Sequence, residues 1–397
     1  MKKILSAVLP AAMLLCGCSS AEPAAPHPSV DPAIAQEIID SFEHQLDPFL
    51  NDGMKLPDSE KADVRWTVVS GNAVIEDNVI RKSEDAGEYE PVVLSLSLND
   101  VPQEHAFEHL CLLDKYSGYL ISYFSERTDE PETMKLSYTY NGVEWFALNN
   151  DRAVLKASAG TGRLRDPALI RKKDGTFAVC ATQGYDTDSI YLYDSPDMIT
   201  FENERLLKVN QAPLQEQQAW APEGFYHRTD DTYVLYWSSV SDGGMFYNTS
   251  DDLQTVSAPF PLVNTGYPVI DGTIVRQGNT WAIVLKDEQS PMEEHSQIFV
   301  GLSDESWNSF SRFSDPVSGH QSEGPMVMKD PENEGWYIFY DDYTRYQFHA
   351  LYTQDFTSLY FDEVPEQYLS IPLDSPAHSF ALPVTQKELD RLISAYQ

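Results

Sequence analysis

The sequence predicts an all-β fold, a five-bladed β-propeller with a small β segment in front of it. A unit of two adjacent strands joined by a turn recurs along the 397 residues. The aromatic-rich second strands are GYLISYF, TFAVCAT, TYVLYWS, TWAIVLK and GWYIFYD, which start at residues 118, 176, 232, 280 and 335. A third strand, a polar turn and an aromatic residue follow each of them. Five four-stranded units at a period of about 50 residues are typical of a propeller.

The first strand of each unit is expected to be the innermost strand of a blade, and each one opens with a polar residue. Pro167 follows the first of these residues, and because proline has no N–H and a fixed φ, the strand is expected to begin there. Four opening residues are acids and the fifth is a histidine: Asp166, Glu223, Asp271, Glu323 and His378. We treat these five positions as equivalent points of the repeat.

The first blade needs an innermost strand, and the sequence offers two candidates for it. The C-terminal strand AHSFALPVT, which contains His378, matches the other inner strands and would tie the two ends of the propeller together. HAFEHLCLL, residues 105–113, competes for the same place. We favour the C-terminal strand.

The N-terminus carries a targeting segment. Two lysines precede an apolar run that is too short for a stable transmembrane helix, so residues 1–17 are expected to be a cleaved signal peptide. The spacing of Leu15, Cys16, Gly17 and Cys18 resembles the lipobox of bacterial lipoproteins, in which Cys18 becomes the lipidated N-terminus. The resemblance implies an exported protein anchored by lipid to a bacterial membrane, at the cell surface or the periplasmic face. A plain signal peptide with a stray cysteine is the alternative.

Three further segments follow the signal peptide. Residues 18–30 are rich in proline and alanine and are expected to form an extended tether. Within residues 31–100, Asp31-Pro32 is expected to start an amphipathic helix, and alternating strand patterns follow it. The string VRWTVVSG resembles small bacterial immunoglobulin-like modules, which implies a role in spacing or docking. Residues 101–397 are assigned to the propeller.

Charge and cysteine content narrow the ligand classes. The formal net charge is −35, from 27 Lys and Arg against 62 Asp and Glu, so the surface repels nucleic acids and acidic polysaccharides. A neutral ligand is therefore expected. Cys111 and Cys180 lie in apolar strand runs and either pair or remain as buried thiols. No CxxC or HExxH metal motif occurs in the sequence.

The four opening acids predict a chemical function. Residues at the same end of each inner strand reach the same mouth of a propeller channel, so these carboxylates are expected to converge. Like charges at short range raise one another's pKa, which lets a protonated acid and an ionised base coexist near neutral pH. Hydrolysis of a glycosidic bond needs such a pair. The alternative is that the acids cap strands or bind ordered water.

The motifs RDPALI, QAWAPEGF, VIDGTIV and SEGPMV, in this order on a five-bladed pattern, resemble glycoside hydrolase family 43 and its arabinan- and xylan-processing relatives. The similarity runs from about residue 118 to residue 385. It implies that Asp166 is the general base, that Asp271 orients and tunes the proton donor, and that Glu323 is the general acid of an inverting mechanism. No cofactor is required for this chemistry.

The resemblance also assigns residues around the catalytic acids. His378 matches a histidine near the propeller axis that is sometimes associated with a bound ion, so a structural calcium ion is allowed there. Glu223 is a structural or substrate-side residue, and Trp220 either stacks on a sugar or packs in the core. Arg345 and Tyr346 fall on a loop that reaches the mouth. The sequence departs from the family pattern in the bulk after His378 and in Gly272, where proline is expected after the acid.

The expected function is hydrolysis of neutral pentosyl or furanosyl linkages, α-L-arabinofuranosides or β-D-xylosides, in plant-type polysaccharides or their oligosaccharides, by a monomer. The first alternative is a lipid-anchored propeller that binds carbohydrate without cleaving it. The third reading is a hydrolase of the related fructosidase clan, in which a similar RDP string pairs with a Glu-Cys motif. Here the acid stands in Glu323-Gly324-Pro325 instead.

Overall fold

The computed structural model describes residues 29–397. The expected signal peptide, the lipidation site Cys18 and most of the tether lie outside the described residues. Among the helices that are described, none has both the length and the apolar composition needed to cross a membrane.

The described chain begins with helix α1, Pro32–Gln45, and a small sheet. The carboxylate of Asp31 accepts a hydrogen bond from the N–H of Ala33 at 2.8 Å, and Pro32 follows at the first helical position, where no N–H is needed. The predicted start of this helix is therefore confirmed. The strands that follow are β1 Phe49–Asn51, β2 Val64–Ser70, β3 Ala73–Glu76, β4 Val79–Lys82, β5 Tyr89–Leu98 and β6 Val101–Leu113.

These elements form one unit, which we call the N-terminal unit. Its main sheet has the strand order β1-β6-β5-β2, and β3 and β4 form a separate hairpin. Trp66 of β2 stacks on Phe42 of α1, with ring centroids 5.5 Å apart, so the helix covers one face of the sheet. The segment is β-rich, as the resemblance to an immunoglobulin-like module implies. It contains a single four-stranded sheet packed on a helix, where an immunoglobulin sandwich has two large sheets.

The boundary that we placed at residue 101 needs correction. Strand β6 pairs with β5 along its length, so residues 101–113 belong to the N-terminal unit. The reason is local: Asn99 and Asp100 both adopt positive φ, 49° and 64°, which is the geometry of a tight hairpin turn. The candidate inner strand HAFEHLCLL is therefore part of this hairpin.

The rest of the chain forms five four-stranded blades. Blade 1 contains β7 Tyr116–Ser125, β8 Lys135–Thr139 and β9 Trp145–Ala147, and blade 2 contains β10 Arg165–Arg171, β11 Phe177–Thr182, β12 Ser189–Ser195 and β13 Glu202–Lys208. Blade 3 contains β14 Trp220–His227, β15 Thr232–Ser239, β16 Gly244–Ser250 and β17 Phe260–Pro261. Blade 4 contains β18 Val269–Gln277, β19 Thr280–Asp287, β20 Ile298–Ser303 and β21 Arg312–Phe313. Blade 5 contains β22 Ser322–Lys329, β23 Trp336–Asp342, β24 Gln347–Thr353 and β25 Asp362–Glu363.

The two ends of the propeller meet in blade 1. The C-terminal strand β26, Pro376–Thr385, pairs antiparallel with β7 and is the innermost strand of that blade. Around the axis, β10 contacts β14, β14 contacts β18, β18 contacts β22, and β26 contacts both β22 and β10. The five-bladed propeller is confirmed, and so is the C-terminal strand as the inner strand of its first blade.

The core of the propeller lies between neighbouring blades. Apolar side chains from the facing sheets form a separate cluster at each boundary, as where Tyr236 and Met245 of blade 3 pack with Ile283 and Phe299 of blade 4. The final helix α2, Gln386–Tyr396, follows β26 directly and starts with a capping box.

The N-terminal unit packs against the ends of the inner strands that lie away from the opening acids. Arg228, at the turn that follows β14, donates to the carbonyls of Glu43 and Glu108 at 2.9 and 3.1 Å. Arg276, near the end of β18, donates to the carbonyl of Gln45 at 2.8 Å. Because the acids stand at the starts of these strands, the mouth that they line remains uncovered by this unit.

The two cysteines among the described residues are not paired. Cys111 lies in β6 of the N-terminal unit and Cys180 in β11 of blade 2, and both are free and buried. Of the two alternatives that the sequence left open, the structure has the buried thiols.

Candidate active site

Each innermost strand begins with a β-bulge, and the bulges create the site. The pairing register of all five inner strands shifts near the start of the strand. A bulge adds one residue to a strand and re-aims its side chain. The first residue of every bulge has a left-handed backbone, with φ between 37° and 55°: Asp166, Ala221, Asp271, Gly324 and His378.

The bulges correct the register that we assigned to the acids. Asp166, Asp271 and His378 hold equivalent positions, as predicted. Glu323 stands one residue before its bulge and Glu223 two residues after. The sequence contains a signal for the true register, because Pro167, Pro222 and Pro325 each occupy the second bulge position. Gly272 and Ser379 take this place in the other two blades, so both departures from the family pattern fall at the second bulge position.

This offset arranges the acids at different depths. Glu323 is nearest to the mouth, with 32 % of its side chain exposed, whereas Asp166 and Asp271 keep only 12 % and 9 %. Glu223 is deeper still and is 2 % exposed. The hydroxyl of Tyr236 donates to Glu223 at 2.6 Å, and burial raises the pKa of Glu223 to about 7. Glu223 therefore lies deeper in the channel than the other three acids.

His378 lies between two of the predicted catalytic acids. Its Nδ1 is 3.7 Å from Oδ1 of Asp166 and 4.0 Å from Oδ2 of Asp271. Burial acts to lower the pKa of the imidazole, but the charges of Asp166 and Asp271 outweigh it, so the pKa of His378 is raised. Burial raises the pKa of Asp271 to about 6 against the opposing charges of His378 and Lys286. The imidazole therefore lies between Asp166, the predicted base, and Asp271, the acid predicted to tune the proton donor.

Asp271 fixes the backbone beside Glu323. Its Oδ2 accepts a hydrogen bond from the N–H of Gly324 at 3.1 Å, and its own N–H donates to Oγ of Ser238 at 3.1 Å. Gly324 has φ of 55°, and a Cβ there would lie 3.0 Å from the Cα of His378. Only glycine fits this crowded left-handed position without displacing the backbone. Asp271 thus holds the backbone next to Glu323, and its role in orienting a proton donor stays a prediction.

Sequence reasoning missed two charged residues in the site. Nζ of Lys286 lies 3.0 Å from Oε2 of Glu323 and 2.9 Å from Oε2 of Glu288. Asp341 is 1 % exposed and accepts the N–H of His378 at 3.2 Å. Burial and the charge of Glu323 raise the pKa of Asp341 well above its ordinary value. Both residues lie on second strands, in the apolar runs WAIVLK and WYIFYD. The only sequence signal for either residue is a charged side chain within an otherwise apolar strand.

The rim of the mouth carries aromatic side chains beside arginines. Trp220 donates from Nε1 to the carbonyl of Tyr185 at 2.7 Å, and the two rings meet edge to face. Tyr185 is 49 % exposed, and the guanidinium groups of Arg163 and Arg165 lie 4.9 and 5.0 Å from the centre of its ring. Tyr185, which sequence reasoning did not select, therefore adds a second aromatic ring, perpendicular to the first, beside the predicted Trp220 position.

Arg345 and Tyr346 lie on the turn between β23 and β24, at the mouth end of blade 5. Arg345 is exposed and pairs with Asp342 at 3.4 Å. The ring of Tyr346 stacks under the guanidinium of Arg127, 3.9 Å from its centre. The structure therefore places both residues on the rim, where their partners are Asp342 and Arg127.

The calcium ion near His378 was tested against the residues around it. Within residues 29–397, no group of three or more His, Cys, Asp or Glu side chains is arranged to hold a metal ion. The carboxylates of Asp271 and Asp341 already accept backbone N–H groups. These residues do not present a ready ligand set, so the ion stays a prediction and has no part in the mechanism below.

A propeller with a cluster of carboxyl groups at one mouth has the fold and the chemistry of a glycosidase. The family model described as a probable glycosyl hydrolase domain, related to family 43, matches residues 114–390. This range is most of the chain, and the protein therefore belongs to the family-43-related glycosyl hydrolases. It is a glycosidase.

Solved structures of similar proteins include several family 43 enzymes. A thermostable family-43 glycoside hydrolase is 16 % identical, with 50 % of this chain and 71 % of that one covered and a TM-score of 0.41. A family 43 enzyme from Xanthomonas citri complexed with xylotriose is 12 % identical, with 53 % and 75 % covered and a TM-score of 0.42. An α-L-arabinofuranosidase from Lactobacillus brevis is 15 % identical, with 51 % and 72 % covered and a TM-score of 0.40. Among curated proteins, no sequence matches.

Proposed function

We propose that the protein is an inverting glycosidase that cleaves neutral pentosyl or furanosyl linkages, α-L-arabinofuranosides or β-D-xylosides, in plant-type polysaccharides or their oligosaccharides. The observation that carries the proposal is the placement of Asp166 and Glu323. They stand at the mouth ends of β10 and β22, which are not neighbours in the ring because β26 lies between them. Inversion needs two carboxyl groups about 6.5–9.5 Å apart, so that a water molecule fits beside the sugar.

In the proposed reaction, Glu323 donates its proton to the leaving oxygen as the glycosidic bond breaks. A water molecule adds to the anomeric carbon from the opposite face, and its proton passes to Asp166. Asp271 holds the backbone at Gly324 and so positions the proton donor. This hydrolysis consumes only water and requires no cofactor.

The choice of a neutral sugar rests on the charge and on the rim. A net charge of −35 repels acidic polymers at long range. Trp220 and the half-exposed ring of Tyr185 offer apolar faces on which a sugar ring can stack. The pentose or furanose class comes from the resemblance to family 43.

Product stereochemistry and a substrate panel test the proposal together. The purified protein is incubated with nitrophenyl α-L-arabinofuranoside, nitrophenyl β-D-xyloside, arabinan and arabinoxylan oligosaccharides. Early ¹H NMR spectra should show a sugar whose anomeric configuration is inverted relative to the substrate. A retained configuration would refute the assigned roles, and absence of cleavage across the panel would refute the proposed substrate class.

We also propose that Cys18 is lipidated and that the propeller works as a monomer at a membrane surface. The support is the lipobox spacing in the sequence. A Cys18→Ala variant should leave the membrane fraction of the host cell. Equal membrane association of the variant and the parent would refute lipidation.

A further inference from the structure

A hydrogen bond recurs between neighbouring blades of this propeller. In each blade, one residue of the second strand pairs with the inner-strand residue that precedes the bulge. In three blades this side chain accepts the N–H of the next blade's first bulge residue: Thr182 from Ala221 at 2.7 Å, Ser238 from Asp271 at 3.1 Å and Asp341 from His378 at 3.2 Å. The bond fixes the left-handed backbone of one bulge to the blade before it.

Lys286 breaks this pattern in blade 4. It pairs with Ile270 and so holds the position of Thr182 and Ser238. An ammonium group has three donors and no acceptor, so it cannot bind the N–H of Gly324 in the next blade. Oδ2 of Asp271 accepts that N–H instead, at 3.1 Å. The lysine therefore leaves the positioning of this bulge to the carboxylate that orients the proton donor.

The side chain of Lys286 contacts two carboxylates. It is 3 % exposed, and its Nζ lies 3.0 Å from Glu323 and 2.9 Å from Glu288. Burial acts to lower the pKa of the ammonium group, but the charges of Glu323, Asp271 and Glu288 outweigh it and raise that pKa. A buried lysine that remains charged acts on its partners as a fixed positive charge.

We propose that Lys286 is a positioning residue that sets the acidity of Glu323: its ammonium group holds the carboxyl at the mouth and stabilises the carboxylate that forms when the proton leaves. This proposal rests on the proposed role of Glu323 as general acid. Lysine takes no proton itself. The proton passes from Glu323 to the leaving oxygen, the glycosidic bond breaks, and the new negative charge on Glu323 faces Nζ.

Lys286 is not the only titratable group near Glu323. Asp271, Asp341 and His378 also interact electrostatically with it. Glu288 binds Lys286 from the other side and weakens its effect. Lys286 is the charge in direct contact with Glu323 at 3.0 Å, so its removal should have the largest effect on the acid.

The pH dependence of kcat/KM tests the role, since its alkaline limb reports the loss of the general acid's proton in the free enzyme. Lys286→Met should raise the pKa of Glu323 and move the alkaline limb about one pH unit or more upward. Glu288→Gln should move the limb downward, because the charge of Lys286 is then no longer shared with Glu288. Lys286→Arg keeps the charge and should keep the limb near that of the parent.

The second measurement is the dependence of activity on the leaving group of the substrate. A weaker acid transfers its proton less readily, so Lys286→Met should lose about tenfold more activity on a natural oligosaccharide than on a dinitrophenyl glycoside. Lys135→Met is the matched control. Lys135 is also a buried lysine, but it lies in blade 1 and pairs with Asp151 at 3.4 Å. That variant should lower stability and leave the limb in place.

An unchanged alkaline limb of the pH profile in Lys286→Met, with equal losses of activity on both substrates, would overturn the proposal. Lys286 would then have a purely structural role. If Lys286→Met does not fold, Glu288→Gln decides the question, and an alkaline limb that does not move downward in that variant overturns the proposal.

A ¹³C NMR titration of the Glu323 carboxyl, assigned with Glu323→Gln, tests the same effect without any need for substrate turnover. A higher pKa of the Glu323 carboxyl in Lys286→Met than in the parent would support the effect of Lys286. This result would count even if the parent cleaves none of the panel, because absence of cleavage refutes only the proposed function. An equal pKa in both proteins would overturn the proposal.

Discussion

The two ends of the innermost strands differ in how their charges are paired. At the end that contacts the N-terminal unit, buried charges meet opposite charges: Arg228 meets Glu43, and Arg171 meets Glu388 at 2.5 Å. Burial acts to raise the pKa of Glu388, but Arg171 outweighs it and holds that pKa below its ordinary value. At the mouth, the carboxyl groups of Asp166, Asp271 and Glu323 crowd together around His378 and Lys286.

The mouth is also the end where the backbone departs from regular strand geometry. Five left-handed residues stand there in a ring, four of them other than glycine. Left-handed backbone costs about 1–2 kcal/mol for an ordinary residue. Burial raises the pKa values of Asp271 and Glu223 to about 6 and about 7. One end of the strands is thus built for stability, and the other accepts a loss of stability that sets up acid–base chemistry.

Asp166→Asn should have the largest effect and should act on activity alone. The amide keeps the shape of the side chain and tolerates positive φ, but it cannot accept a proton from water. We expect kcat to fall about 10³-fold or more, and the free energy of unfolding to change by less than about 1 kcal/mol. Nitrophenyl glycoside kinetics and urea denaturation measure the two quantities. A large loss of stability would show that Asp166 also stabilises the fold, which would contradict the proposed difference between the two ends of the strands.

Arg228→Met at the opposite end should do the reverse. The variant leaves Glu43 with only His105 as a side-chain partner, and it leaves three backbone carbonyls, those of Glu43, Leu46 and Glu108, without their donor. We expect a loss of about 3 kcal/mol in the free energy of unfolding, with kcat of the folded enzyme retained. Urea denaturation and kinetics below the transition measure both.

Arg276→Met is the matched control for Arg228→Met. Its partner Asp47 is 61 % exposed and can be hydrated once the arginine is gone. The loss should therefore be smaller, about 1 kcal/mol or less. Equal losses in the two variants would show that burial of the partner does not decide the effect.

The buried carboxyl Glu223 should make stability depend on pH. Its pKa is about 7 in the folded protein and lower in the unfolded chain, so the folded state holds the proton more tightly. This contribution is complete below about pH 4 and is lost as pH rises through about 7, an effect of about 3 kcal/mol. Glu223→Gln should flatten the curve of unfolding free energy between pH 5 and 8. An unchanged slope would contradict the assigned burial effect.

Trp220→Ala should have the smallest effect. We expect the loss of this rim ring to remove the proposed stacking contact with the sugar, worth about 1 kcal/mol, and to raise KM several-fold. The chemical step should keep its rate because the acids do not contact Trp220. Tyr185→Ala should behave alike. A fall in kcat with unchanged KM would place these rings in the chemistry instead of the rim.

Most of the fold was predictable because it repeats. The aromatic-rich second strands gave the number of blades, and the His378 strand gave the closing of blade 1. Residues 101–113 were misplaced because an apolar strand pattern does not say which sheet it joins. The turn at Asn99-Asp100, which returns β6 onto β5, was the local signal for the correct sheet.

The site was predictable in its acids but not in its geometry. Aligning the units on their acids put Glu323 and Glu223 in register with Asp166, whereas the prolines mark the bulges that set the register. Lys286 and Asp341 come from second strands, and their role depends on the contact between neighbouring blades. That contact is a property of the assembled ring, and no spacing along the chain encodes it.

The central claim is that Asp166 is the base and Glu323 the acid, and leaving-group dependence tests it most directly. Rates of Glu323→Ala and Asp166→Ala are compared on a natural oligosaccharide and on a dinitrophenyl glycoside, whose leaving group needs no proton. We expect Glu323→Ala to lose activity on the oligosaccharide but to keep much of its activity on the dinitrophenyl substrate, and Asp166→Ala to lose activity on both. Equal losses on both substrates in the two variants would contradict it.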